Sequence, residues 1–172
     1  LSQPTGLSKI MQGVTTEIIG NCGMAPAPVT ELNRSELDGD GMFMRGGEDV
    51  ELSWESMGDY LARLGDGGLG FNVLPLVGHC QIRSGAMGFE DRTPTAPELQ
   101  RMCDLLREAL GAGALGMSTG LIFPPSSYAD TEELVELAKV LADHGAMYFS
   151  HIRGEDHRLS AAVKEAVEIG ER

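Results

Sequence analysis

Gln12-Gly13-Val14-Thr15-Thr16-Glu17-Ile18-Ile19-Gly20-Asn21-Cys22-Gly23 is the stretch on which the fold turns. Val14 to Ile19 is short, rich in β-branched residues and bounded by glycines, which predicts a strand. Gly20 to Gly23 reads as a tight turn, and Ala25-Pro26-Ala27-Pro28 beyond it favours neither sheet nor helix. A cysteine is thereby set at the C-terminal tip of a strand, the end at which α/β barrels carry their chemistry. Free cysteines also pack as small hydrophobes. On this stretch alone a structural thiol stands slightly ahead of a metal ligand.

Working outward, the pattern of a strand followed by a helix recurs four times. Residues 29–52 are acidic and glycine-rich without a sustained period, which predicts a long loop excursion. Ser53 is expected to cap a helix from Trp54 to about Leu64, ended by Gly65 and Gly67-Gly68. Phe71 to Val77 predicts a strand covered on both faces, ending at Gly78-His79, and Ser84 to Pro94 reads as a loop. Thr95 and Glu98 form a capping-box signature ahead of a helix whose face carries Leu99, Met102, Cys103, Leu106, Ala109 and Leu110. Ala114 to Met117 predicts a third strand, running into Ser118-Thr119-Gly120. Asp130 and Glu133 repeat the capping pattern before Leu134, Leu137, Ala138 and Leu141, and His144-Gly145 closes that helix. Ala146 to Ser150 predicts a fourth strand with His151 at its tip, and Leu159 to Ile169 a final helix.

Strands alternating with helices imply right-handed crossovers and a parallel sheet. Four such units are half of an eight-stranded barrel or a small open sheet. No Gly-x-Gly-x-x-Gly follows a strand and no Walker-type Gly-Lys-Ser/Thr occurs, so the nucleotide-binding open sheet loses its usual support.

Composition narrows the function. The 172 residues carry 13 Lys and Arg against 26 Asp and Glu, a net charge of −13. That balance disfavours a nucleic-acid surface and an anionic membrane, both of which need clustered cations. No apolar run approaches a transmembrane length. Cys22, Cys80 and Cys103 are too few and odd in number for a disulfide framework, so a reducing, cytoplasmic setting is expected. Leu1 is not a methionine and Arg172 falls within a helical pattern, which predicts an internal fragment of a longer protein.

The strand tips share a chemistry. Cys22, His79, Ser118 with Thr119, and His151 place coordinating or polar groups after apolar strand bodies. In a parallel barrel all four tips face one mouth. Thiolate and imidazole both suit a borderline-soft ion such as zinc.

Four motifs at these positions resemble the metal-dependent N-acyl-D-amino-acid deacylases (D-aminoacylases) of the amidohydrolase superfamily. They are Gln12-Gly13-Val14-Thr15-Thr16 with Gly20-Asn21-Cys22-Gly23, then Val77-Gly78-His79, Gly113 to Leu121, and Ser150-His151-Ile152-Arg153-Gly154-Glu155, in the family's order and over essentially the whole chain. The resemblance implies a partial (β/α)8 TIM-like barrel over residues 1–172, with the strands here as the second to fifth of the metal-dependent hydrolase barrel. It implies zinc as cofactor, with Cys22 and His151 as metal ligands. It implies a small-molecule substrate, an N-acyl-D-amino acid, cleaved at its amide to a carboxylate and a D-amino acid.

The family's His-x-His pair on the first strand, a histidine on the sixth and the catalytic aspartate on the eighth have no counterparts here. By resemblance this chain is the middle of the enzyme, without a catalytic base and inactive by itself. A related cyclic-amide hydrolase and a non-catalytic structural piece are the competing readings, and the oligomeric state stays open.

The remaining candidates carry two readings each. His79 is a pocket or structural histidine at even odds, and Ser118 and Thr119 are substrate contacts or turn residues. Arg153 and Glu155 are expected to support His151 from behind or to form a surface ion pair. His144 reads as a helix-end residue, Cys80 as core, and His157 and Cys103 as having no role in the site.

Overall fold

The computed structural model describes residues 5–38 and 52–172. In chain order the elements are α1 (Leu7–Ile10), β1 (Thr16–Ile19), α2 (Arg34–Asp38), α3 (Met57–Asp66), β2 (Asn72–Gly78) and α4 (His79–Met87). There follow α5 (Ala96–Gly111), β3 (Gly116–Gly120), a 3-10 turn (Ser126–Tyr128), α6 (Thr131–Asp143), β4 (Met147–His151) and α7 (Leu159–Glu171). The four strands pair in parallel in the order β1-β2-β3-β4. This is the expected succession of βα units, with each strand beside its predecessor.

Strand residues alternate between two environments, as the period of two requires. On one face Ile19, Val73, Val77, Met117 and Tyr148 meet the helices, where they join Ile82, Met102, Leu106, Leu137 and Leu141 in the main core. Each fully buried Leu or Met there contributes about 1.5–3 kcal/mol relative to exposure. The opposite face is open in part: Ile18 is 46%, Leu74 40% and Met147 49% exposed, whereas Leu76 and Ser118 on the same face are fully buried. Helices thus cover one side of the sheet and the other side is a concave, partly apolar surface. Among the described residues, no helix is long and apolar enough to cross a membrane.

Several boundaries differ from the sequence reading. The cap of α3 is Ser56, not Ser53: the Ser56 Oγ accepts from the Asp59 N–H at 3.0 Å and the Asp59 carboxylate accepts from the Ser56 N–H. Trp54 therefore lies before the helix, buried, with its Nε1–H donated to the Pro26 carbonyl at 2.8 Å. Within the loop assigned to 29–52, residues Arg34–Asp38 form the short α2, while 39–51 lie outside the described residues.

The largest correction is α4. The sequence pattern ends a strand at Gly78-His79, assigns nothing to residues 80–83 and predicts a loop from Ser84, where the structure has one helix. His79, Cys80, Gln81, Ile82, Arg83, Ser84, Gly85 and Met87 are all buried, so α4 has no polar face and carries no amphipathic signal. β3 is also displaced. It runs through Ser118-Thr119-Gly120 instead of stopping at Met117, with the Ser118 hydroxyl satisfied by the turn after β1 and the Thr119 hydroxyl by Ser150 of β4.

Candidate metal centre

The turn after β1 crosses the C-terminal ends of β2 and β3. Gly20 (φ 84°), Cys22 (φ 58°) and Gly23 (φ 76°) all adopt left-handed backbone. For glycine this conformation is free, whereas a residue with a Cβ is destabilised by about 1–2 kcal/mol. Cys22 is the single non-glycine in this state among the described residues, so the fold holds it there against its own preference.

Three contacts do the holding. The Ser118 Oγ accepts from the Gly23 N–H at 3.0 Å and donates to the Gly20 carbonyl, and the Cys80 N–H donates to the Gly23 carbonyl at 2.9 Å. Two glycines make room for the crossing. A Cβ at Gly78 would meet the Gly23 carbonyl, and one at Gly120 would meet the Cys22 carbonyl.

His151 reaches the same place from the other side. It ends β4, directly opposite Gly120 in the ladder, and its carbonyl accepts from the Leu121 N–H at 2.9 Å. Cys22 and His151 therefore flank Gly120 at one end of the sheet. By strand alternation His151 shares the open face with Met147 and Phe149. Its Nε2 lies 2.8 Å from a Glu155 carboxylate oxygen, and the Phe123 ring meets the imidazole edge-on at a centroid distance of 5.9 Å. Cys22 is exposed and the His151 side chain is 25% exposed, so both are open to a ligand.

A thiol and an imidazole form a donor set that fits zinc in kind. In number it is incomplete. Among the described residues no group of three or more His, Cys, Asp or Glu side chains is placed to hold a metal ion.

The other predicted residues separate sharply. His79 is fully buried: Nδ1 lies 2.6 Å from the Ser126 Oγ and Nε2 2.9 Å from the Glu133 carboxylate. It is the first residue of α4, and of its two readings the satisfied buried histidine is the one observed. Ser118 is likewise fully buried, its hydroxyl used by Gly20 and Gly23. Arg153 is engaged elsewhere: it pairs with Glu165 at 2.9 Å, donates to the Ser127 and Ala129 carbonyls, and lines a cleft with Arg158. Glu155 alone of the supporting candidates touches His151.

Cys80 is buried, which pushes its thiol up, and the Ser126 hydrogen bond offsets this only in part. Its burial comes from α4, not from strand alternation. Cys103 packs in the main core, where burial also raises its thiol. The His144 Nδ1 lies 2.8 Å from the Val140 carbonyl at the end of α6, and His157 is exposed beside Asp156.

Arg83, Phe123 and Ser126 escape the sequence reading, and Glu133, expected only as part of the α6 cap, turns its carboxylate to His79 and Arg83 instead while Asp130 alone caps the helix. Burial alone would raise the Glu133 carboxyl, but the His79 hydrogen bond and the charges of His79 and Arg83 hold it below its usual range. A signal for Glu133 existed. It stands four residues before Leu137 on the inner face of α6, where a carboxylate needs a buried cation. No sequence signal marked Phe123.

No family model matches the chain. It is 38% identical over 163 residues to a D-aminoacylase of Alcaligenes xylosoxydans xylosoxydans, covering 94% of this chain and 32% of that protein. It is 37% identical over 171 residues to the N-acyl-D-aspartate deacylase of the same organism, covering 99% and 33%. Among solved structures it superposes with a TM-score of 0.85 and 36% identity on an N-acyl-D-glutamate deacylase from Bordetella bronchiseptica, over 99% of this chain and 35% of that one. That crystal structure contains zinc and a phosphonate inhibitor that mimics the tetrahedral intermediate. The chain thus spans about a third of the length of the relatives it matches.

Proposed function

This chain belongs to the N-acyl-D-amino-acid deacylase family of the amidohydrolases, and on that premise we propose that it is the central part of a zinc-dependent hydrolase. The whole enzyme cleaves the amide of an N-acyl-D-amino acid, releasing a carboxylate and a D-amino acid. The substrate is a small molecule, and the net charge of −13 argues against nucleic acid or an anionic membrane as partners. A reducing, cytoplasmic setting suits the free thiols of Cys22, Cys80 and Cys103. Residues 1–172 form one part of a single barrel domain.

The observation that supports this reading is that the turn bearing Cys22 and the strand end bearing His151 both border Gly120, with Cys22 kept in a backbone conformation that glycine would occupy at lower cost. In this proposal Cys22 and His151 hold the metal, and further ligands and the general base come from the rest of the enzyme. When bound, zinc would polarise the scissile carbonyl and make a hydroxide available at neutral pH. This chain's own residues contribute the framework. Cys22 supplies a thiolate and its negative charge. Glu155, at the Nε2 of His151, orients the free imidazole. Phe123 shields one side of that ring. His79 and Ser118 serve the site from beneath, through the elements they join, and Arg153 through the loop it clamps.

The test is zinc content and turnover of paired N-acyl-D- and N-acyl-L-amino acids by the full-length protein and its Cys22→Ala variant. We expect D-selective, zinc-dependent hydrolysis in the parent, with zinc and turnover both lost in the variant while it stays folded. Near-normal zinc and turnover in Cys22→Ala would return the thiol to a structural role. Hydrolysis of a cyclic amide in place of the linear substrates would move the enzyme to a neighbouring class. The 172-residue chain alone, assayed with added zinc, is expected to be inactive, because two ligands fall short of the three protein ligands typical of catalytic zinc.

A further inference from the structure

Beneath the open face lies a polar cluster that takes no direct part in the proposed chemistry. Ser126, His79, Arg83 and Glu133 are 0%, 0%, 0% and 2% exposed. The Ser126 Oγ contacts His79 Nδ1 at 2.6 Å and Cys80 Sγ at 3.2 Å. His79 Nε2 meets one Glu133 oxygen at 2.9 Å, and Arg83 Nη1 donates to the other. The Arg83 Nη2 group donates to the Arg92 carbonyl at 2.6 Å and the Glu90 carbonyl at 3.3 Å. Serine, histidine and carboxylate stand in the order of a hydrolytic triad, but the serine has no exposed surface and no substrate can reach it.

Burying charges for stability alone is a poor strategy, since well-packed apolar residues of similar volume serve as well or better. What a buried cluster tied together by hydrogen bonds does supply is a fixed position for whatever it holds, even though the Arg83 Nε is left without a partner. Here it holds the segment between β3 and α6. The Ser127 N–H donates to the Phe123 carbonyl at 3.0 Å, closing a short turn from Phe123 to the anchored Ser126. From the opposite side Arg153 donates to the Ser127 carbonyl at 3.0 Å and the Ala129 carbonyl at 2.8 Å. The segment is therefore pinned at both flanks, and the Phe123 ring projects from it to touch Gly120 and the edge of His151.

We propose that Ser126 is a positioning residue for His151, acting through the Phe123 turn, with the His79–Glu133–Arg83 cluster as its anchor. The inference rests on His151 being a metal ligand. Deleting the Ser126 hydroxyl frees the turn, lets the Phe123 ring leave the imidazole, and relaxes the ring orientation a metal requires.

The experiment uses the full-length protein with Ser126→Ala, Phe123→Leu and, as a matched control in the main core, Leu106→Val. Three readouts are taken: zinc affinity by chelator competition, the His151 ring resonances of the metal-free protein, and amide hydrogen exchange of residues 121–127. Ser126→Ala is expected to weaken zinc binding about 10-fold, as loss of a residue supporting a ligand typically does. It should also shift the His151 ring resonances and speed exchange in 121–127. Phe123→Leu should reproduce the first two effects, and Leu106→Val none of the three. Unchanged zinc affinity and unchanged ring resonances in Ser126→Ala would overturn the inference. Should that variant fail to fold, the same two results in Phe123→Leu decide it. A parent protein that binds no zinc would overturn the metal-centre reading instead, and the ring resonances and exchange rates would still decide whether Ser126 positions His151.

Discussion

His79 and His151 have the same signature in sequence, an apolar strand ending in a histidine, and opposite surroundings in the structure. The His79 side chain is 0% exposed and both ring nitrogens have partners; the His151 side chain is 25% exposed and faces the open side of the sheet. What separates them is the next element. β2 passes directly into α4, which carries His79 under the sheet end and against α6. β4 is followed by a loop, and α7 begins only at Leu159. A strand tip is a functional address only if the chain pauses there.

The comparison breaks most decisively at Glu133. Glu133→Ala leaves Arg83 buried without its carboxylate, and removing one partner of a buried pair costs about 3–5 kcal/mol. His151→Ala, at the open face, should change stability by about 0.5 kcal/mol or less while removing zinc binding. Denaturant unfolding and zinc titration of the two full-length variants check this crossing. Comparable losses of stability in both would erase the distinction between the two histidines.

A smaller effect is expected at Cys22. Cys22→Gly relieves a left-handed backbone worth about 1–2 kcal/mol, partly offset by the greater freedom of glycine in the unfolded chain. The variant should unfold at equal or higher denaturant concentration than the parent, yet bind zinc no better than Cys22→Ala. A clear destabilisation would mean that the thiol packs as core, and Cys22 would join His79 on the buried side of the comparison.

The smallest effect lies at the solvent-exposed start of α5. Arg92 bonds both oxygens of Glu98, and the Thr95 N–H and hydroxyl add to this, lowering the carboxyl from 4.5 to about 2. A carboxylate with a depressed folded value stabilises the protein above its ordinary range and loses that contribution as pH falls from 4.5 towards about 2. Glu98→Gln should therefore cost about 1 kcal/mol near neutrality, as loss of a helix cap does, and the gap should close in that acid window. A pH-independent gap, measured by thermal unfolding, would assign the loss to packing and not to charge.

Much of this molecule is legible in its sequence. Periodicity located α5, α6 and α7 closely, since each shows one apolar face to the sheet and one polar face to water. The capping residues Thr95 and Asp130 stand where local chemistry demands them. The four strands were found in order, with ends shifted by one to three residues, because hydrophobic pattern marks a strand body better than its limits. Cys22, His79, Ser118 with Thr119 and His151 stand out together by residue type and position after an apolar strand, and only the resemblance to the family's motifs sets Cys22 and His151 apart as metal ligands.

Tertiary structure alone decided the rest, for identifiable reasons. α4 has no water-facing side, so burial erased the periodicity that marks a helix. Ser118 and Thr119 resembled turn residues until Gly20, Gly23 and Ser150 became their partners, contacts that local sequence does not encode. Which histidine stayed open, and how Cys22 was held over Gly120, depended on the close approach of chain segments far apart in sequence. Local propensity and periodicity act over one or two turns of chain and so determine elements. The burial of a charge, or the strain on a backbone angle, is set by whatever the whole fold brings alongside.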